Sequence, residues 1–359
     1  MNENPIQHTE EFVDRRRFCA LTGVAAVATL AVPRAFAART PTSNNQTGGK
    51  IQTGNGEWSY EVASGWGHLP ADLTFGGTHG AIATDNAGQV YVSTQSETGI
   101  LVYSPEGMFK RKIATEYPEV HSIFHAEEGI DEFLYTTVQK GTAKENWLFV
   151  KMKTDGTVVQ KITAPPQAGF KAPNEWRLTA AVPGPDGSIF IANGYGDSRI
   201  FHFDKNGEYR SECGGKGTTD GRFDCCHGLA VDIRYDQPLL LVCDRENRRL
   251  CHLDFDGKFV GTVIQHLRRP CQVSFHGDFA VVSELEGRVA ILDKDNAPVA
   301  FLGDNPRKIQ WANYQLRPNE IAPAVFSAAH GCHIDRDANV YVSDWNQVGR
   351  VTKLIRISA

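Results

Sequence analysis

The chain contains 359 residues, of which 41% are hydrophobic and 22% are charged, and it carries a formal net charge of -5 at pH 7. This is the composition of an ordinary globular protein, and the lack of a basic excess argues against a nucleic-acid-binding function. The length alone would allow two domains, so the number of domains has to be read from the pattern along the chain.

The first 38 residues predict an export signal. Three consecutive arginines at 15–17 precede an apolar segment at 19–32, and Ala35, Phe36 and Ala37 follow as a small-residue cleavage motif. The alternative is a membrane anchor, but the apolar segment is too short for a stable membrane span. Residues 1–38 resemble a twin-arginine signal peptide. The resemblance implies recognition by the twin-arginine translocation machinery, a periplasmic or secreted bacterial protein, and no membrane attachment after cleavage.

The rest of the chain divides into a short linker and one repetitive domain. Residues 39–55 are rich in Thr, Asn, Gln and Gly, which predicts a flexible linker. A single structural unit then recurs along residues 56–359, and it is clearest at 225–264. Its four short runs are rich in Val, Leu and Ile and are separated by polar turns. Four antiparallel strands in about 40 residues form one blade of a β-propeller.

Six such units predict an all-β, six-bladed β-propeller in which each blade packs against its neighbours. The units begin near His79, His121, Trp176, Cys225, Pro270 and His330. The sixth unit ends after three strands, whereas residues 58–63 have strand composition but belong to no unit. We therefore predict that residues 58–63 form the fourth strand of the sixth blade and close the ring, which removes an exposed sheet edge.

Three histidines occupy matching positions at the start of alternate units. His121, His227 and His330 are separated by 106 and 103 residues, about two blade lengths each. Alternate blades of a six-bladed ring lie one third of a turn apart, so the three imidazoles are expected to meet on the central axis. Three neutral imidazoles suit a zinc ion with an open fourth position, which is typical of a catalytic site. The alternative for each histidine alone is a structural hydrogen bond to a backbone carbonyl.

A fourth histidine, His79, does not share this register. It lies six residues before Asp85, whereas His227 and His330 each lie five residues before an aspartate. Because side chains alternate along a strand, we predict that His79 points away from the axis.

Two further side chains follow strand ends and are candidates for a catalytic role. Tyr195 stands between two glycines, so it can project over the channel mouth, or it can be an aromatic lid against the next blade. Arg245 can offer its five donors to a substrate carboxylate, or it can form an inter-blade ion pair.

A family resemblance joins these residues. The runs ANGYGDSRIFHFDKNGEY, GRFDCCHGLAVD and VCDRENRRL resemble the catalytic core of peptidylamidoglycolate lyases, which are six-bladed propellers related to NHL-repeat proteins. The resemblance implies that His121, His227 and His330 bind zinc, that Tyr195 is catalytic and that Arg245 lies in the active site. It also implies a carboxylate-bearing small-molecule or peptide substrate, a carbinolamide that is cleaved to an amide and glyoxylate.

The chain departs from that family at two places. The family has a second active-site arginine where this chain has Gln95 and its neighbours, and it has an aspartate that helps to hold a structural calcium where this chain has Gly331. The resemblance therefore does not imply a calcium site here. Two other functions stay open: a non-catalytic NHL-repeat propeller that binds a ligand or protein, and a calcium-dependent lactonase-like hydrolase.

Seven cysteines follow the predicted cleavage site, and an oxidising compartment would permit disulfides between them. Cys243 and Cys251 lie on strands that are expected to be neighbours, so they can form a disulfide or be buried as small apolar residues. We expect burial without a disulfide.

Overall fold

The computed structural model of the chain describes residues 50–141 and 146–357. The predicted signal peptide, residues 1–38, lies outside the described residues, as does most of the predicted linker. The described residues form 25 β-strands in six antiparallel sheets, as expected for an all-β propeller.

The first five blades each contain four strands, which follow one another along the chain from the channel outward. Blade one contains β3 (Ile82–Thr84), β4 (Val90–Ser93), β5 (Ile100–Tyr103) and β6 (Phe109–Ile113). Blade two contains β7 (Glu119–Glu128), β8 (Asp131–Lys140), β9 (Leu148–Lys153) and β10 (Val158–Ile162). Blade three contains β11 (Ala180–Pro183), β12 (Ile189–Ala192), β13 (Arg199–Phe203) and β14 (Tyr209–Gly214). Blade four contains β15 (Cys226–Asp232), β16 (Leu239–Asp244), β17 (Arg249–Leu253) and β18 (Phe259–Gln265). Blade five contains β19 (Pro270–His276), β20 (Phe279–Glu284), β21 (Arg288–Leu292) and β22 (Pro298–Leu302).

The sixth blade closes the ring with strands from both ends of the domain. It contains β23 (Ala329–Ile334), β24 (Val340–Asp344), β25 (Arg350–Arg356), β2 (Trp58–Val62) and β1 (Gln52–Asn55). Strand β2 pairs antiparallel with β25, with Tyr60 opposite Arg356, so the predicted closure is confirmed. Strand β1 adds a fifth strand outside β2. The last four residues of the predicted linker therefore belong to the sheet, because β1 and β2 pair with each other as a hairpin.

The inner strands of the six blades surround the channel. Each inner strand contacts the inner strand of the next blade, in the order β3, β7, β11, β15, β19, β23 and back to β3. The residues at the starts of these six inner strands therefore lie close together at one end of the channel.

The turns between strands share a hydrogen-bonding motif in which an aspartate side chain caps the turn, which accounts for the polar turns that separate the apolar runs in the sequence. Five aspartates each accept a hydrogen bond of 2.7–2.9 Å from the backbone N–H four residues later: Asp85, Asp204, Asp254, Asp293 and Asp335. This carboxylate cap fixes a tight reversal between strands. The pairing of strands within a blade thus depends in part on turn aspartates that can be recognised in the sequence.

The hydrophobic core lies between neighbouring sheets rather than within one. Leu241 and Leu250 of blade four, for example, pack with Val282 and Ala290 of blade five. The seven cysteines of the described residues are free thiols, and all but Cys213 are buried. The expectation for Cys243 and Cys251 is therefore confirmed. The described residues contain four short 3-10 helices at Pro166–Ala168, Pro173–Glu175, Lys308–Gln310 and Pro318–Glu320, and no helix among the described residues could cross a bilayer.

Candidate metal centre

The three histidines selected by register all occupy bulges of inner strands. The pairing of β7 with β8 skips His121, that of β15 with β16 skips His227, and that of β23 with β24 skips His330. A bulge leaves one residue outside the ladder and changes the direction of its side chain. The same local irregularity therefore turns an imidazole into the channel in blades two, four and six.

These imidazoles converge at one end of the channel. The ring centroids of His121 and His227 are 5.0 Å apart, those of His121 and His330 are 4.9 Å apart, and those of His227 and His330 are 4.7 Å apart. Each of the three residues is only 2% exposed. The structure thus brings together the three side chains that the spacing predicted to meet.

Each of the three rings is oriented by a carbonyl of the following blade. Because a carbonyl oxygen can only accept, the Nδ1 atom must carry the proton that is donated. A neutral imidazole with its proton on Nδ1 directs the Nε2 lone pair to the channel, which is the form that binds a metal. The pairs are His121 with Thr179 (2.7 Å), His227 with Cys271 (3.0 Å) and His330 with Gly80 (3.3 Å).

The glycine that follows two of these histidines allows the carbonyl to approach. A Cβ atom at Gly228 would lie 2.3 Å from the Cys271 carbonyl oxygen, and one at Gly331 would lie 2.4 Å from the Gly80 carbonyl oxygen. Both distances are far below van der Waals contact, so the His-Gly pairs are required by close blade packing. For the same reason an aspartate cannot occupy position 331 in this backbone.

Tyr195 places its hydroxyl among the imidazoles. It follows β12, and its hydroxyl oxygen lies 3.2 Å from His121 Nε2, 3.0 Å from His227 Nε2 and 3.1 Å from His79 Nε2. The aromatic-lid interpretation of Tyr195 is therefore incomplete, because the hydroxyl enters the centre.

His79 contradicts its prediction and faces the centre. Its ring centroid lies 4.5 Å from that of His330 and 4.9 Å from that of His121, and it stacks on Trp345 at 4.2 Å. Strand alternation does not determine the direction of the His79 side chain, because His79 lies before the start of β3 at Ile82. The residue of blade one that matches the register of the histidines is Gly80.

The imidazole nitrogens that face the centre need more hydrogen-bond donors than the site contains. The Nε2 atoms of His121 and His227 both need a donor, but the single hydroxyl proton of Tyr195 can satisfy only one of them. The Nε2 atom of His330 is buried and has no hydrogen-bond partner. A cation among these nitrogens would remove the mismatch, so the residues fit a bound metal.

The atoms that can bind a metal form two overlapping groups. The ligand atoms of His79, His121 and His330 lie within 4.8 Å of one another, and so do those of His227, Cys271 and His330. The predicted trio is thus divided between two groups that share His330. The sequence interpretation missed both His79 and Cys271. Cys271 occupies the bulge of β19, the blade-five counterpart of the histidine bulges, and this position was the available signal.

Arg245 lies directly beside Tyr195. Its Nη1 atom donates to the Tyr195 hydroxyl oxygen at 3.3 Å, and its guanidinium lies 5.3 Å from the tyrosine ring. Its Nε atom also donates to Glu246 at 2.9 Å, and Arg269 binds the same carboxylate at 2.6 Å. Arg245 therefore has both an ion pair and a contact with the centre, although the carboxylate partner is the adjacent residue.

A further arginine, Arg177, lies on the solvent side of Tyr195. Its guanidinium is 5.9 Å from the Tyr195 ring and 5.2 Å from the Trp147 ring, and the residue is exposed. Arg177 and Arg245 thus place two positive charges against the same tyrosine ring at the mouth of the channel, which favours an anionic ligand beside it. No motif singled out Arg177, because it lies in a loop before β11.

Burial determines the protonation states in the centre. Burial lowers the pKa of His121 to about 3, against a hydrogen bond to the Thr179 carbonyl that raises it, while Arg245 lowers it further. Burial also places the pKa values of His227 and His330 well below the usual range. In contrast, burial raises the pKa of Tyr195, with Arg245 opposing the change. At neutral pH the imidazoles are therefore free to bind a metal, and the tyrosine keeps its proton.

Comparisons with known proteins support the fold and point weakly to one enzyme. No family model matches the chain. A stretch of 168 residues, 44% of the chain, is 34% identical to the peptidylglycine alpha-amidating monooxygenase of Rattus norvegicus. That stretch spans only 16% of the rat protein.

Among solved structures, a streptogramin B lyase covers 84% of this chain and 99% of its own, with a TM-score of 0.54 and 13% identity. The virginiamycin B lyase of Staphylococcus aureus covers 80% and 97%, with a TM-score of 0.50 and 13% identity. A structure with a provisional gluconolactonase assignment covers 80% and 94%, with a TM-score of 0.51 and 12% identity. The chain shares its fold with lyases and a lactonase-like protein. At these identities the similarity concerns the fold alone.

Proposed function

We propose that this protein is a zinc-dependent carbon–nitrogen lyase that cleaves an α-hydroxyglycine-type carbinolamide into an amide and glyoxylate. The observation that carries the proposal is the convergence of three buried imidazoles whose Nδ1 protons are all held by carbonyls. This leaves the Nε2 atoms of His121 and His227 beside the Tyr195 hydroxyl and that of His330 buried without a partner. The partial similarity to the rat amidating enzyme supports the same reaction class.

The metal would be held by His121, His227 and His330, whose ring centroids lie 4.7–5.0 Å apart. His79 and Cys271, which each belong to a ligand group with His330, are adjacent donors. When bound, zinc supplies a Lewis acid that lowers the pKa of a hydroxyl oxygen close to it. Neither candidate ligand group contains a carboxylate, so the donor set suits zinc better than the calcium of the lactonase alternative.

Tyr195 is the proton relay in this proposal. The substrate hydroxyl loses its proton to the Tyr195 oxygen, while the tyrosine passes its own proton to the departing amide nitrogen. The C–N bond breaks, the former hydroxyl carbon becomes the aldehyde of glyoxylate, and no proton is gained or lost overall. Arg245, which already donates to the tyrosine oxygen, stabilises negative charge on that oxygen during the transfer.

The substrate carboxylate would bind between the arginines of the mouth. Arg245 and Arg177 lie against the same tyrosine ring, so both guanidinium groups are near the reacting atoms. A carboxylate in this place gains charge-assisted hydrogen bonds. The aromatic ring of Trp147 next to Arg177 offers a surface for the apolar part of the substrate.

The test is release of glyoxylate from α-hydroxyhippurate by the full chain after metal removal and zinc reconstitution. Zinc-loaded protein should release glyoxylate and benzamide in equal amounts, whereas His227→Ala should give only the spontaneous rate. His276→Ala, at the far end of β19, is the matched control and should keep full activity.

Two results would reject the lyase. One is a zinc-loaded protein that releases no more glyoxylate than His227→Ala. The other is a purified protein that contains no metal and binds none, which would favour a non-catalytic ligand-binding propeller. Calcium instead of zinc in the purified protein would favour the lactonase-like alternative.

A further inference from the structure

We infer that the Cys271 thiolate is a metal ligand, so that a thiophilic cation in the channel is bound by Cys271 in addition to the histidines of the proposed centre, with His227 and His330 beside it, rather than by histidines alone. The inference rests on the metal centre of the proposed function but not on its reaction. It distinguishes this centre from one in which only imidazoles bind the ion.

The position of Cys271 in the fold is that of a ligand. The pairing of β19 with β20 skips Cys271, so it stands at a bulge as the three histidines do in their blades. It is 1% exposed, and its Sγ atom lies within 4.8 Å of ligand nitrogens of both His227 and His330. Blade five therefore contributes a sulfur at the level where blades four and six contribute nitrogens.

An independent observation shows that one nitrogen of this group lacks a partner, whereas the Cys271 thiol donates to the Arg269 carbonyl at 3.6 Å. The Nε2 atom of His330 is completely buried and has no hydrogen-bond partner among the described residues. His227 is oriented by the carbonyl of Cys271 itself, at 3.0 Å from its Nδ1 atom. One residue thus positions one ligand with its backbone and presents a second donor atom with its side chain.

Two opposing effects act on the ionisation of the Cys271 thiol. Burial, the larger effect, raises its pKa, whereas the nearby positive charge of Arg245 lowers it, so the thiol keeps its proton until a cation displaces it. Binding replaces the S–H bond by a metal–sulfur bond and releases one proton to the solvent. A thiolate in the set favours zinc, cobalt or copper(I) over the hard cations magnesium and calcium.

The experiment uses cobalt(II) bound to the metal-depleted full chain. Thiolate ligation gives an intense sulfur-to-cobalt charge-transfer band in the near ultraviolet, which an all-nitrogen centre lacks. Wild-type protein should show this band, and Cys271→Ser should lose it and bind cobalt at least about tenfold more weakly, because even outer contacts of a metal site contribute that much. Circular dichroism checks that the variant is folded.

Cys225→Ser is the matched control. Cys225 is also buried and lies near Arg245, but it belongs to neither ligand group. This variant should keep the band. Cobalt-loaded wild type without the band, or a band that persists in Cys271→Ser and disappears in Cys225→Ser, would overturn the inference.

The same titration separates the two proposals. If cobalt binds without the charge-transfer band and zinc-loaded protein releases glyoxylate, only the role of Cys271 is wrong. If the band appears and no glyoxylate is released, the ligand set stands and the lyase is wrong.

Discussion

At the scale of single residues, the centre is defined by where protons and lone pairs are located. The proton on Nδ1 of each histidine is fixed by a carbonyl, which leaves Nε2 as the only free nitrogen of the ring. Tyr195 adds one proton to a site with several acceptors, and Arg245 donates to its oxygen at 3.3 Å. The proposed metal would satisfy the imidazole nitrogens for which the site has no proton.

Tyr195→Phe tests the role of that hydroxyl. The phenylalanine keeps the ring that packs against the arginines but removes the proton relay, so kcat should fall about 10²- to 10⁴-fold. Zinc content and KM should change little, since the imidazoles and arginines remain. The assay is glyoxylate release from α-hydroxyhippurate, with zinc measured by elemental analysis. Tyr209→Phe, whose hydroxyl contacts Glu212 on an outer strand, should behave as wild type. Equal rates for both variants would exclude the relay.

At the scale of strands, the bulge and the following glycine act together. The bulge directs the histidine into the channel, and the glycine lets the next inner strand approach until its carbonyl reaches Nδ1. This explains why His227 and His330 are both followed by glycine. In blade two the corresponding residue is Ser122, so the glycine is required at two of the three positions.

Gly228→Ala tests this coupling between neighbouring strands. The added Cβ would lie 2.3 Å from the Cys271 carbonyl, so β15 and β19 must separate. The free energy of unfolding should fall by about 1–3 kcal/mol. Zinc affinity should fall about 10- to 100-fold because His227 loses its orienting hydrogen bond.

Gly261→Ala is the control within the same blade. It has open space around its Cβ position, so its free energy of unfolding should stay within about 0.5 kcal/mol of wild type. Chemical denaturation and a competitive zinc titration measure both quantities. An unchanged zinc affinity in Gly228→Ala would show that the carbonyl does not orient the imidazole.

At the scale of the whole molecule, the ring is held by contacts between the two ends of the domain. Strand β2 pairs with β25, and the Trp58 side chain is 2% exposed between Phe279 of blade five and Arg356 of blade six. Since alternate blades supply the histidines, closure of the ring also determines whether His330 reaches the others.

Trp58→Ala tests ring closure. Loss of the buried indole should lower the free energy of unfolding by about 3–5 kcal/mol, and opening of blade six should weaken zinc binding as well. Gln52→Ala, an exposed position on β1, should change the free energy by no more than about 0.5 kcal/mol. Urea denaturation monitored by circular dichroism provides the comparison, and a Trp58→Ala protein as stable as the control would mean that β2 is dispensable.

The stability of the metal-free ring should depend strongly on pH. Burial lowers the pKa of His79, His121, His227 and His330. In the unfolded chain these histidines have the ordinary value of about 6.5 and gain protons as the pH falls, whereas the folded state keeps them neutral. The free energy of unfolding should therefore be highest above pH 6.5 and should fall by about 1.4 kcal/mol per pH unit for each such histidine below it.

Urea denaturation of metal-free protein between about pH 7 and about pH 5 measures this slope, above the range in which most carboxylates titrate. His121→Asn should have a slope that is shallower by the share of one histidine. A stability that is constant over this interval would contradict the neutral state of the buried imidazoles.

The sequence by itself determined the repeat, the closing strand and the three histidines, because strand period, turn chemistry and blade length are local properties that recur along the chain. Only the tertiary structure placed His79, Cys271 and Arg177 at the same mouth. His79 and Arg177 lie in loops, where no alternation fixes the direction of a side chain. Cys271 holds the blade-five counterpart of the histidine position, but it is not a histidine and so lay outside the matched set. The fold follows from periodic patterning, whereas the full ligand set depends on contacts between blades that no local pattern encodes.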